Sequence, residues 1–506
     1  MRSSSGQEFA SGYSQMSRQP PAVILSRATV LTMDPRRPRA EAVAVRDGRI
    51  VALGTNAQTL ALRGRPTRVI DCRPPAVRSL RDLQTLLRQQ ASRLPSGQWL
   101  VGHGYDEFAL AEGRHPTRWD LDVAAPRHPV RLAHRSRHAW VLNSLALAQL
   151  GVTRDFTAPA GSTVTRDPAS GEPTGLLIDM DGYLRERLPP VAAPAAFRSA
   201  LRHASQVLLA AGVTTIGEAS VSNDLTSYDA FRTWIAAGDV RQRIALLLGA
   251  PSLPDLIDAG FKPGEGTPSL RLQGIKIRID EASGGLYPPP EVVNAQVWSA
   301  HLRGFPVAIH AVELPALVSA LHAIRLAQAR LPRAGLRHRI EHCALCPDAC
   351  IDELADLRVG VVTQPAFLWH HGRRYVSEIA SEQQPWLYRV KSLLDRGVPV
   401  AGSSDAPVVP PQPLHGVYAA VTRQTPDGRL IGPMERVSVA DALWLFTRGA
   451  AWACGLESEV GSITCGRRAD LVALEADPTR VSASEIPHIP ARLTMVDGVV
   501  QWGAEA

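Results

Sequence analysis

Two segments, GIKIRID (274–280) and FPVAIHA (305–311), decide how this 506-residue chain is read. Each is an apolar run of strand length; Lys276 interrupts the first and His310 nearly closes the second. The next apolar runs, RIEHC (339–343) and VPVAGSSD (398–405), bring His342 and Asp405 to the same kind of position. Lys276 and His310 are 34 residues apart, His310 and His342 are 32 apart, and Asp405 follows 63 later. A strand–helix–strand unit occupies about 30 residues or more, so the first two steps are one unit each and the third is two. Polar residues at the C-terminal ends of successive parallel strands converge on one face of a barrel, the face on which such barrels carry their chemistry. Two imidazoles, a carboxylate and a lysine gathered there suit a metal that activates water.

Outward from these runs the same grammar continues. GVTTIGEA (212–219), QRIALLLG (242–249) and GVVTQP (360–365) read as further strands. Between strands lie stretches such as PALVSALHAIRLAQAR (315–330) and PDACIDELADL (347–357), with apolar residues at helical spacing. The count reaches seven parallel strands, and a closed (β/α)8 barrel needs eight. The missing one belongs before residue 212, yet only CRPPAVR (72–78) separates Asp71 from the helical SLRDLQTLLRQQ (79–90). Two prolines in seven residues oppose a central strand there. The expected fold is therefore α/β, a TIM-type (β/α)8 barrel with its first strand deleted.

Both chain ends read as β structure. AVILSRATVLTM (22–33), AEAVAVRDGRIVALG (40–54) and TRVIDC (67–72) are matched by GSITCGRRADLVALEADP (461–478) and RLTMVDGVVQWG (492–503). Asp47–Gly48 and Asp497–Gly498 are hairpin signals of one kind. The expected division is a disordered tail at 1–21, a composite β-sandwich from 22–72 and 455–503, and a barrel over 79–450. Residues 95 to about 190, rich in Pro, Gly, Arg and His, read as an irregular cap insertion containing one strand-like run, PVRLAHRSRHAWVLN (129–143).

Composition narrows the function classes. Hydrophobic residues make up 45% and charged residues 20%, ordinary values for a globular protein. The net charge of +7 comes from arginines scattered along the whole chain, with no basic run interleaved with aromatics, which argues against a nucleic-acid partner. No stretch approaches 18 apolar residues, and the N-terminus has no apolar signal core, so no membrane partner is expected. Six cysteines in this length make no disulfide framework, which fits a reducing cytoplasmic setting. A small-molecule substrate is the expected partner, and a homo-oligomer is an allowed assembly.

Each candidate has a blander reading. A lone histidine at a strand end is more often a hydrogen-bonded core residue than a ligand. Asp405 could merely cap the next helix, and Lys276 could snorkel or pair. The pair of histidines on adjacent strands, with Asp405 two strands further, favours a site. A lysine desolvated at that depth loses its proton more readily and can capture carbon dioxide as a carbamate, a bidentate metal bridge. Cys343, Cys346 and Cys350 form C-x2-C-x3-C without a fitting fourth ligand and read as free thiols.

With these motifs in view the chain resembles the amidohydrolase superfamily, in the branch that includes the N-substituted formamide deformylases. The resemblance runs from about residue 22 to 503 through SGEPTGLL, AGVTTIGEA, QGIKIRID, AIHA, RIEHC, QPAFL, GSSDAP and GSITCGRRADLVAL. It implies hydrolysis of a non-peptide C–N bond, with Lys276 as bridging ligand, His310 and His342 on one metal, and Asp405 on the other as proton shuttle. His138, in SRHAWVLNS, is implied to face the substrate. The family's first strand ends in Asp-x-His-x-His, and no His-x-His occurs anywhere in this chain. His310 is followed by Ala-Val-Glu where the branch reads Ala-Ile-Gly-Asp. One divalent ion, zinc by donor type, is thus expected rather than two. Three readings compete: an active one-metal enzyme, a non-catalytic relative that keeps the fold, and a shortened reading of an active gene. His134 and His138, four apart, form an alternative histidine pair.

Overall fold

The computed structural model describes residues 23–25, 29–54, 79–92, 96–105, 110–134, 138–187, 194–282 and 285–503. The expected tail at 1–21, the run 67–72 and the proline-containing segment 72–78 lie outside the described residues.

Strands β1 (Val23–Leu25), β2 (Ala42–Arg46) and β3 (Arg49–Gly54) form one antiparallel sheet. Its apolar face, with Val43, Val45, Ile50 and Leu53, shares one core with Ala469, Leu471, Leu493 and Met495 from the far end of the chain. The two Asp-Gly turns lie back to back. A Cβ on Gly48 would sit 2.9 Å from the Asp497 carbonyl oxygen, and one on Gly498 would sit 2.7 Å from Gly48 Cα. Both glycines also have positive φ, so no other residue fits either position without a shift of backbone.

Residues 96–178 differ from the irregular insertion that the sequence suggests. They build a five-stranded sheet from β4 (Leu100–Tyr105), β5 (Val130–His134), β6 (Ala139–Leu142), β7 (Thr163–Arg166) and β8 (Pro173–Ile178), in the order β4–β5–β6–β8–β7. The single run 129–143 is two antiparallel strands followed by a helix, Ser144–Gln149, that Asn143 caps. Every residue of β5 and β6 is buried. Val130, Leu132 and Val141 pack with Leu83 and Leu87 of the helix Leu80–Ala91, whereas Ala133, Trp140 and Leu142 pack with Ala146, Leu147 and Leu184. With both faces covered, such short strands leave no period-2 signature to read.

The barrel strands are β9 (Thr215–Glu218), β10 (Arg243–Gly249), β11 (Leu270–Arg278), β12 (Val307–Ala311), β13 (Arg339–His342), β14 (Gly360–Thr363) and β15 (Val400–Gly402). They are parallel and adjacent in chain order, as the seven sequence runs require. Val, Ile and Leu fill them because helices cover their outer faces. Among the described residues neither β9 nor β15 has a second neighbour. β9 is partly exposed along its length, whereas β10 and β15 are buried throughout. The last sheet, β16 (Leu471–Leu474), β17 (Ala491–Val496) and β18 (Val499–Trp502), returns to the sandwich. Arg243 at the start of β10 ties barrel to sandwich by donating to both carboxylate oxygens of Asp470 at 2.7 and 2.9 Å, with both side chains buried.

At the opposite end from the strand termini that carry the candidates, two buried histidines fasten β12 and β13 to the helices outside. Val307 N–H donates to His338 Nδ1 at 3.1 Å, which leaves His338 Nε2–H to donate to His301 Nδ1 at 2.8 Å. His301 Nε2–H then donates to the Leu331 carbonyl at 2.7 Å. Burial, and secondarily the neighbouring His301, pushes the His338 pKa down to about 3. The folded value lies below that of an unfolded histidine, so in acid the unfolded chain binds the extra proton first. Stability from this group is full above about pH 6.5 and declines toward about pH 3, at up to about 1.4 kcal/mol per pH unit. Urea unfolding of wild type and His338→Gln across about pH 4–7 should show the wild-type advantage shrinking as pH falls. A gap that stays constant with pH would refute the assignment.

Candidate metal and substrate site

The register of β11, β12 and β13 sets Arg278, His310 and Glu341 level with one another. Lys276, two residues before Arg278, lies on the same face of its strand, one layer deeper. It is 5% exposed, and burial lowers the pKa of its ammonium, opposed by Glu341 and Asp405 and assisted by Arg339 and Arg278. Arg339 donates to Glu341 at 2.7 Å and to Gln273 at 2.7 Å, so the carboxylate level with His310 is itself held.

His342 reaches the site through a backbone irregularity. In a regular strand it would share a face with Ile340, which packs in the hydrophobic layer. Its φ of 73°, followed by 50° at Cys343, breaks the alternation. The imidazole lies against that of His310, with ring centroids 4.4 Å apart and planes at 73°. A non-glycine residue in this region is strained by about 1 kcal/mol or more, and such strain gathers at functional sites. Gln364, just past β14, accepts from His342 Nδ1 through Oε1 at 2.8 Å. Its own amide donates to the Val362 carbonyl at 3.3 Å, which fixes its orientation. His342 Nε2 is therefore the nitrogen with a lone pair to offer. Burial above all holds both imidazoles below the ordinary histidine pKa, His310 well below, and keeps them neutral. Neutral imidazole is the form that binds a metal.

Asp405 follows β15 with φ 51°, its N–H donating to Ser403 Oγ at 3.0 Å. Water reaches the residue, yet protein crowds its carboxyl over a wider radius, and that crowding raises its pKa against the pull of His342 and Lys276.

His138, just before β6, lies at the edge of this group, its ring centroid 6.3 Å from that of His310. Its Nδ1 is 2.7 Å from Asp179 Oδ1. Arg278 donates to the same oxygen at 3.2 Å and to Asp280 at 2.9 Å, and Asp280 stands 3.9 Å from His310 Nε2. His134, of the alternative histidine pair, packs against the rings of Tyr105 and His115, at 5.1 and 5.7 Å. Cys343, Cys346 and Cys350 are free, buried thiols.

Sequence reasoning passed over Arg278, Asp280, Asp179 and Gln364. Arg278 and Asp280 were legible as inward residues by their even spacing from Lys276. Asp179 stands just past a strand and carries no comparable signal, whereas Gln364 opens the QPAFL segment, which was not given a role.

As a donor set the described residues offer two neutral imidazoles, a desolvated lysine and one aspartate. Among the described residues no three His, Cys, Asp or Glu side chains assemble around one point. The His310 and His342 imidazoles, in contact with each other, are donors of a type that binds divalent ions.

A parallel barrel with histidines and a carboxylate at its strand ends, flanked by a sandwich made from both chain ends, is the architecture of a hydrolase barrel. The profile of the amidohydrolase family matches residues 67–501, and the chain belongs to that family. It is 29% identical to the N-substituted formamide deformylase of Arthrobacter pascens, over 95% of this chain and 98% of that one. That alignment spans 544 positions, and 95% of 506 residues is about 481, so about 63 positions face a gap in this chain. In fold it resembles an uncharacterized metal-dependent hydrolase from Pyrococcus horikoshii OT3, with TM-score 0.69 at 22% identity over 92% of this chain and 99% of that one. A mutant of the atrazine chlorohydrolase TrzN from Arthrobacter aurescens TC1, complexed with zinc and atraton, superimposes with TM-score 0.52 at 17% identity, each chain covered to 94%.

If Gln364 orients His342 toward an ion, Gln364→Leu should weaken divalent-metal affinity about 10- to 100-fold, the usual effect of losing such a partner. Competition titration with a chelating dye measures this, and unchanged affinity would remove His342 from the ligand set.

Proposed function

We propose that this chain is a metal-dependent amidohydrolase acting on a non-peptide C–N bond of a small molecule, of the formamide or simple amide type. The observation that carries the reading is the pair of neutral imidazoles, His310 and His342, in contact at the ends of adjacent strands beside Lys276. His310, His342 and Lys276, the last as its carbamate, would hold one divalent ion, with Asp405 alongside; zinc is the choice for imidazole donors. Such an ion lowers the pKa of a water and polarises a carbonyl oxygen.

The chain's own groups do the rest. Asp405 takes the proton released by the attacking water and returns it to the leaving nitrogen as the C–N bond breaks and the C–O bond forms. Its raised pKa brings it nearer the range in which one carboxyl can both accept and donate. His138 contacts the substrate from the edge of the cap sheet. No helix among the described residues is long and apolar enough to cross a membrane, and a cytoplasmic setting fits the free thiols.

A second reading has its own support. The absence of His-x-His from the chain, and of any three-ligand group among the described residues, favours a relative that keeps the fold without turnover. Metal analysis and formamide hydrolysis separate the two. The active reading expects about one tightly held ion per chain, lost in the His310→Ala, His342→Ala double variant. It expects Asp405→Ala to keep the ion and lose about 100-fold or more in turnover. An ion with no turnover of formamides or amides supports the non-catalytic reading, and two tight ions would refute the ligand set.

A further inference from the structure

The group around His138 has an order that the proposed hydrolysis does not use. The antiparallel pairing of β6 with β8 places Ile178 opposite Ala139, so the next positions, Asp179 and His138, face each other beyond the end of the ladder. Asp179 N–H donates to the His138 carbonyl at 2.7 Å, and Ser162 Oγ donates to the Asp179 carbonyl at 2.8 Å. Backbone and side chain therefore lock the same two residues together. Asp179 has φ 54°, a conformation that Asp and Asn tolerate better than other side chains.

Two groups converge on Asp179 and on each other: the His138 ring and the Arg278 guanidinium both reach Oδ1, while Arg278 Nη2 also lies 3.0 Å from His138 Nδ1. A carboxylate oxygen only accepts, and a guanidinium only donates. The short 2.7 Å contact is satisfied when Nδ1 carries the proton and gives it to Asp179. The approach of Arg278 to the ring is then two donors sharing one acceptor. The competing arrangement, with Arg278 donating to a bare Nδ1, sets two lone-pair-bearing atoms against each other at 2.7 Å.

We infer that Asp179 is a positioning residue that fixes His138 in its Nδ1–H tautomer, which puts the lone pair of the ring on Nε2. Arg278, on the barrel strand that carries Lys276, secures Asp179 and so joins the cap sheet to that strand, while Asp280 holds the guanidinium. A histidine held this way offers a lone pair, suited to a substrate that presents an N–H, such as an N-substituted amide, instead of a bare carbonyl oxygen. The choice of substrate atom rests on the proposed hydrolysis; the tautomer does not.

The test reads the ring itself. In protein with 15N-labelled histidine, the His138 resonances, assigned by their loss in His138→Gln, should show a protonated Nδ1 and an unprotonated Nε2 at a pH where the ring is neutral. Asp179→Asn keeps the shape and the backbone conformation but can turn an N–H toward Nδ1, and it should shift His138 to the Nε2–H form. Asp179→Gly, which also tolerates the positive φ, should give a mixture. A wild-type Nε2–H tautomer, or one that neither variant alters, overturns the inference. Failure to hydrolyse any formamide would count against the proposed function and leave this readout intact.

Discussion

The site depends on the register between three parallel strands. Hydrogen bonding from β11 to β12 to β13 leaves Arg278, His310 and Glu341 no freedom to slide, because a one-residue slip would turn each to the opposite face. Outward-facing Ile275, Ile277, Ile309 and Ile340 enforce that register, since each packs beneath helices and cannot be traded for its polar neighbour. The packing of the hydrophobic layer and the placement of the chemistry are therefore one constraint. It fails locally at His342, where a left-handed backbone brings a side chain of the wrong parity to the mouth.

The interior beneath that mouth is unusually polar for a small barrel, whose inward layers are commonly branched and apolar. Lys276, Arg339, Glu341 and Gln273 occupy it as a connected set. A buried charge without a partner is expensive, and breaking a buried pair is more disruptive than never having it. The set persists because each member limits the desolvation of the next. One result is a lysine held as a poor proton acceptor directly below two neutral imidazoles.

Much of this was legible in the sequence. The seven barrel strands were visible because parallel strands covered on both sides read as continuous apolar runs, and the site residues because each closes or interrupts such a run. The eighth strand position was doubted from Pro74 and Pro75 in a short segment, which lies outside the described residues. What the sequence hid follows from other physics. The central strands of the cap sheet have only four or five residues and are buried on both faces, so their hydrophobicity does not alternate. Asp179 and Gln364 act across the fold, and only the pairing of β6 with β8, or the proximity of β13 and β14, brings them to their partners. Nothing local to Asp179 announces its contact, and the QPAFL segment marks Gln364 without naming its partner.

The back-to-back turns at Gly48 and Gly498 bear on how the chain is made. The first sheet is synthesised early, and its apolar face waits for Ala469, Leu471, Leu493 and Met495. At about 5–20 residues per second, the intervening chain takes on the order of 20–80 s to emerge from the ribosome. During that interval Val43, Val45 and Ile50 lack the C-terminal half of their core, and Arg243 lacks Asp470. The sandwich thus closes last, and the nascent N-terminal sheet is the segment on which a chaperone has the longest opportunity to act.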